Sequence, residues 1–194
     1  MLTVTTELDA INTMLSNIGE SPVNTVEDNG VVDAVLARQI LTSTSIAVQT
    51  RGWHFNTELG YPLTPTFPEK EIQLPPNLLR VDSVGEHRSI DVVQRGNRLY
   101  DRRNHTYQFD HGFKATLVIL LPFDDMPESA RGYITIKAAR TFQERIVGAE
   151  EQSSFNAKDE MRALLTLQNS DLKNADYNIL SDNFTTANAL DRRI

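Results

Sequence analysis

The stretch AVQTRGWHFNTE (residues 47–58) carries the only tryptophan of the 194-residue chain, Trp53. It stands where a helical recurrence of apolar residues gives way to β-formers alternating with polar residues and prolines. Upstream of it the chain reads as helix. Downstream the β-like texture continues to about Pro127, where helical spacing returns. That order predicts an α+β fold: an antiparallel helix bundle built from both chain ends (residues 1–52 and 127–176), an inserted antiparallel β domain (53–126) and a C-terminal tail (177–194).

Towards the N-terminus, Thr5 or Thr6 can cap a first helix, because a threonine oxygen accepts orphan backbone N–H groups and Glu7 places a carboxylate at the positive end. Leu8, Ile11, Leu15 and Ile18 then form one apolar stripe. Gly19 can take the left-handed conformation that stops a helix, and Pro22 blocks its continuation. Residues 20–30 read as a loop. A second helix is predicted over about 31–50, with Val32, Val35, Leu36, Ile40 and Ala47 near helical spacing and Gly52 marking its end.

Beyond residue 58, Pro62, Pro65, Pro68, Pro75 and Pro76 cut the chain into short pieces. Proline cannot donate to a ladder, so these pieces belong at sheet edges or in loops. Residues 78–84, 90–94, 106–109 and 115–121 read as strands, the last an unbroken apolar run expected to be central and buried on both faces. Gly96-Asn97, between Val92-Val93 and Leu99-Tyr100, signals a hairpin. Pro127 and Glu128 suit the first turn of a helix reaching Gly148. A last helix is predicted from Ser153 or Ser154 to about Ala175, with Phe155, Met161, Leu164, Leu165, Gln168 and Leu172 on its inner side.

Composition narrows the function classes. With 40% hydrophobic and 23% charged residues the chain can bury a large core, and with no cysteine it has no disulfide frame, thiolate metal site or cysteine nucleophile. The N-terminus lacks a basic segment followed by an apolar one, and no run approaches the roughly 18 apolar residues of a membrane span, so neither secretion by a signal peptide nor a membrane anchor is expected. A net charge of −7 argues against a dedicated DNA-gripping surface, since such affinity comes from lysine and arginine neutralising phosphates.

Phosphate-loop, dinucleotide, nucleophile-elbow and zincin motifs are absent from the sequence. Asp124, Asp125 and Glu128 are the best candidates for acid–base chemistry of the glycosidase kind, which needs two carboxylates at a fixed separation. The competing reading is a helix cap with acids in the first turn. His105, Asp110 and His111 would approach one metal if the 106–109 strand folded back. Arg95, Arg98, Arg102 and Arg103 make the predicted hairpin locally basic, as a solvated edge or as a contact for an acidic partner or DNA phosphate.

Four blocks carry a family resemblance: ELDAINTMLSNIGESPVNTVED, DAVLARQILTSTSIAVQTRGWHFNTE, NRLYDRRNHTYQFD and FDDMPESARGYITIKAARTFQERIVGAEE. In that order they resemble the tail tubular protein A family, the adaptor or gatekeeper ring of short-tailed bacteriophages. The resemblance implies a structural virion protein of the phage tail, assembled in the host cytoplasm. It implies a dodecameric ring between the portal protein and a nozzle protein of the tail tubular protein B type. Genome DNA passes through the lumen as transient cargo, without sequence-specific binding. No catalytic, cofactor or metal residues are implied.

Arg51, Gly52, Trp53 and Phe55 match the family's helix-to-strand junction, and Asp124, Met126 and Pro127 match its strand-to-helix return. These positions are candidates for assembly and architecture. Tyr177, Phe184 and Leu190, in the unmatched tail, are candidates for docking to the portal. Two other readings stand beside the adaptor: a tail-associated glycan hydrolase using Asp124, Asp125 and Glu128, and a DNA-packaging accessory protein.

Overall fold

The computed structural model describes residues 4–25, 27, 31–84, 90–146, 148 and 150–174, with backbone alone for 150–156. Among them are four α-helices, α1 (Glu7–Asn17), α2 (Val32–Gln49), α3 (Glu128–Ile146) and α4 (Glu150–Asn174). Five strands lie between α2 and α3: β1 (Thr57–Leu63), β2 (Leu78–Ser83), β3 (Val92–Arg95), β4 (Arg98–Asp101) and β5 (Phe113–Ile119). The fold is α+β.

Local chemistry accounts for the first helix. Thr6 Oγ1 accepts from the Asp9 N–H at 3.2 Å while the Asp9 carboxylate accepts from the Thr6 N–H at 3.0 Å, a reciprocal cap. At the other end Gly19 has φ +83°, and the N–H groups of Gly19 and Glu20 reach back to Ser16 O and Leu15 O. This is the doubly bonded left-handed stop that glycine permits.

The helix α3 packs against α1, α2 and α4. It buries Ala130, Ile134, Ala138 and Phe142 against Ile11, Met14 and Leu15 of α1, Ile40 and Leu41 of α2, and Leu167 of α4 in one apolar cluster. The face α4 turns inward shares Leu164 and Gln168 with the predicted one but is rotated away from the rest of it. Leu167 is buried and Ala163 and Leu164 are half-buried, whereas Met161, Leu165 and Leu172 are exposed. Two apolar stripes run along this helix, and the pattern alone does not say which one meets α3. The side chain of Phe155 lies outside the described residues.

The strands form two antiparallel sheets, β1-β5-β2 and the hairpin β3-β4. The hairpin closes at Gly96-Asn97, with Arg95 opposite Arg98 and Gly96 at φ +62°. Strand β5 is central, and its neighbours Leu117 and Val118 are both fully buried although they point to opposite faces. Burial on both faces stops there: Lys114 is exposed and Thr116 and Ile119 are half-buried. Strand β1 carries Pro62 on a sheet edge, where its missing N–H costs no ladder bond.

Residues 106–109 do not form a strand. Only isolated bridges occur there, Asp101 with Thr106 and Glu71 with Gln108. The Asp101 carboxylate accepts bonds from the N–H groups of Arg103 and Asn104 and so folds the chain into a turn before Thr106. A second apolar cluster, with Leu63, Ile72, Leu78, Leu99, Phe109, Phe113 and Leu117, fills the β section.

Candidate assembly site: the joint between helices and strands

The two apolar clusters meet where the α2 end and the segment after β5 run side by side. The structure joins them through two buried amides. Gln49, the last residue of α2, is 0% exposed. Its Oε1 accepts from the Leu121 N–H at 2.8 Å, and its Nε2 donates to Leu121 O and to Ser45 Oγ, each at 3.0 Å. Asn56, 3% exposed, donates through Nδ2 to Gln49 O and to Ile119 O, both at 3.0 Å, and its Oδ1 accepts from the Trp53 N–H at 2.8 Å. An amide carries both donor and acceptor, so it can satisfy the main chain past the end of a helix and of a strand together. Neither residue stands out from the hydrophobic pattern. The available signal is that residues 39–50 contain no charge at all, which is unusual for a helix end facing water.

The residues of the helix-to-strand junction surround these amides. Trp53 is 6% exposed and donates through Nε1 to Val48 O at 2.8 Å, while the Arg51 guanidinium lies 5.1 Å from its ring centre. Gly52 has φ +76°, and a Cβ there would lie 2.9 Å from Arg80 Nη2 and 3.1 Å from Val118 Cγ2. The backbone angle calls for glycine at this position, and the Val118 side chain leaves little room for a Cβ. Phe55, half-buried, packs on the helical cluster. The turn His54–Asn56 is held from a third side, since the His54 N–H donates to Asp171 of α4 at 2.7 Å.

The return junction ties the start of the chain to α3. Arg131, though charged, is 8% exposed. It donates to Met126 O at 2.7 Å, to Thr5 O at 2.8 Å and to Asp124 O, so one charged group ties three main-chain carbonyls together. Met126 is buried in the helical cluster, and Pro127 O accepts the first turn of α3 from Ala130 and Arg131. Asp124 Oδ1 accepts from the Glu7 N–H at 3.1 Å, and the Glu128 carboxylate takes both the N–H and the hydroxyl of Thr5 at 2.9 and 2.6 Å. Two of the three acids considered for hydrolysis are thus engaged with the N-terminal segment as a cap.

The remaining candidates lie elsewhere. Asp110 meets Lys70 at 2.7 Å and His105 occupies a left-handed turn at φ +54°; no group of three metal-binding side chains gathers among the described residues. The hydrogen bond and charge of Lys70 hold the Asp110 carboxyl below its usual range. In the hairpin, Arg95 stacks 3.6 Å over Tyr100, Arg98 lies over Tyr107 and pairs with Glu71 at 2.8 Å, and Arg102 sits 3.5 Å from Asp91. Tyr177, Phe184 and Leu190 lie outside the described residues. No helix among the described residues is long and apolar enough to cross a membrane.

Comparison with known proteins matches this chain to a family model described as Tail tubular protein over residues 8–177. The tail tubular protein A of Klebsiella phage KP34 is 34% identical over 128 residues, covering 66% of this chain and 66% of that protein's length.

Proposed function

We propose that this chain, which belongs to the tail tubular protein family and so to the structural proteins of phage tails, is the adaptor subunit of a dodecameric ring. The ring sits between the portal and a nozzle protein of the tail tubular protein B type, and genome DNA passes through its lumen. What favours a frame over a catalyst is the use of the junction polar groups. Gln49, Asn56, Arg131, Asp124 and Glu128 all bond to the main chain of a neighbouring segment. In a ring such a joint fixes the angle between the helical part (residues 1–52 and 127–176) and the β part (53–126), and hence the angle at which each copy meets the next.

The net charge of −7 supports passage of DNA rather than its capture, since like charge lowers sticking. A lumen lined mostly by lysine and arginine would overturn that part. Residues 177–194, with Tyr177, Phe184 and Leu190, are assigned to portal docking. The test is electron microscopy of the full chain alone and mixed with its portal protein. Rings on the portal are expected, and a mixture without them would sink the adaptor reading. A chain truncated after residue 176 is expected to keep its circular dichroism spectrum and lose portal binding; unchanged affinity would sink the assignment of the tail.

A further inference from the structure

Two apolar surfaces are left uncovered by the other described residues, and they differ in shape. The first is a ridge on α4. Met161, Leu165 and Leu172 are 57, 50 and 59% exposed, and with Gln168 they recur at intervals of four, three and four, so they stand in one line along the helix. The second is a groove of about 400 Å³ between α2 and the segment after β5, lined chiefly by Leu41, Thr42, Ile46, Leu120, Pro122 and Phe123. A water-facing helix ordinarily carries charge on its outer side. From Gln39 to the end of α2 no charged residue occurs, and this surface is the one that borders the groove.

The rims carry opposite charge. Beside the α4 ridge stand Lys158, Arg162 and Lys173, of which Arg162 is paired with Asp159 at 3.4 Å, and the other acids of that stretch are turned inward: Glu160 bonds Arg140 at 2.7 Å and Asp171 bonds the His54 N–H at 2.7 Å. The groove is bordered by Glu7, and Asp124 and Asp125 follow Phe123 in the same turn. Glu7 is itself paired with Arg38 at 3.2 Å, so the negative charge of this rim rests on Asp124 and Asp125. A protruding apolar line with a basic margin therefore matches a recessed apolar surface with an acidic margin.

We propose that the α4 ridge of one copy of this chain seats in the α2 groove of a second copy. The two surfaces are unlike, so the contact is head-to-tail and leaves a free ridge and a free groove at each step. The inference deepens the ring reading and rests on it for closure, though the contact itself follows from the two surfaces.

The chain has no cysteine, which gives a clean background for crosslinking. Leu165→Cys and Ile46→Cys are made as separate full-length proteins, mixed, and treated with a short bismaleimide, so that any 165–46 link joins two copies. Both positions are exposed, and circular dichroism checks that each variant is folded. The linked dimer is expected several-fold above that from Leu165→Cys mixed with Leu59→Cys, a control whose second position is more exposed than Ile46 (79 against 38%) but lies outside the proposed contact. An equal yield from the control pair, or no link from either, overturns the contact. Rings in micrographs without the 165–46 link would overturn the contact and leave the ring reading standing. The link in a preparation that never forms rings would support the contact and sink closure.

Discussion

Trp53 fills the helical cluster with its ring and uses its one polar atom on Val48 O, so truncation removes packing and a buried hydrogen bond together. Trp53→Ala is expected to cost about 3–5 kcal/mol, the range for emptying a large aromatic site, in urea denaturation followed by far-ultraviolet circular dichroism. Unchanged stability would mean the ring contributes little to the fold. Gln49 is a sharper case because it adds little apolar packing. Gln49→Leu leaves the Leu121 N–H and carbonyl buried without their partner, and the loss is expected at about 2–4 kcal/mol, the sum of two desolvated backbone groups. Leucine is close in volume to glutamine, so a loss under about 1 kcal/mol, one ordinary hydrogen bond, would show that water or a shifted backbone replaces the amide.

The elements were legible in proportion to how local their causes are. Helix α1 follows from its threonine cap, its stripe and Gly19, and the β3-β4 hairpin follows from Gly96-Asn97, all within one turn of chain. Helix α4 was legible as a helix but not in its orientation, because Met161, Leu165 and Leu172 compete with Ala163, Leu164 and Leu167 and only α3 decides between them. The 106–109 piece reads as a strand by propensity but is overridden by a turn. Gln49 and Asn56 were hidden because a polar residue in an apolar pattern ordinarily marks solvent, and the carbonyls they serve are distant in sequence. The turn at Asp101 gives a pH prediction. Burial would raise its carboxyl, but the hydrogen bonds from Asn104 and Arg103, with the Arg103 charge, outweigh it and hold the carboxyl below its usual range. A depressed folded value stabilises above the unfolded value and is lost as pH falls through the folded one. Asp101→Asn is therefore expected to cost about 1.5–3 kcal/mol at neutral pH, the range for hydrogen bonds to a charged acceptor, and less as the wild-type carboxyl protonates. Urea titrations at neutral and strongly acid pH measure both; a cost independent of pH would show that charge at Asp101 is irrelevant to the turn.

At the scale of the whole molecule, the question is whether two apolar clusters behave as one folding unit. The helical and β clusters have separate interiors, and beside β5 two side-chain amides bond the main chain across the seam, Gln49 to Leu121 and Asn56 to Ile119. Trp53, Phe55, Leu121 and Phe123 then pack on the helical side of that seam. Bonds that satisfy both layers together make separating them cost several desolvated backbone groups, which is how a short seam can enforce all-or-none unfolding. The wild-type chain is accordingly expected to melt in one calorimetric transition with equal van't Hoff and calorimetric enthalpies. Replacing both amides, Gln49→Leu with Asn56→Leu, keeps each interior apolar but leaves the seam without its bonds. The double variant is expected to show a van't Hoff enthalpy well below the calorimetric one, with the β part melting apart from the helices. If it instead melts as a single transition at a lower temperature, the clusters are coupled by apolar packing across Trp53 and Phe123 and the amides contribute stability alone. A ring subunit must transmit a fixed angle from one layer to the other, and only the first outcome assigns that task to Gln49 and Asn56.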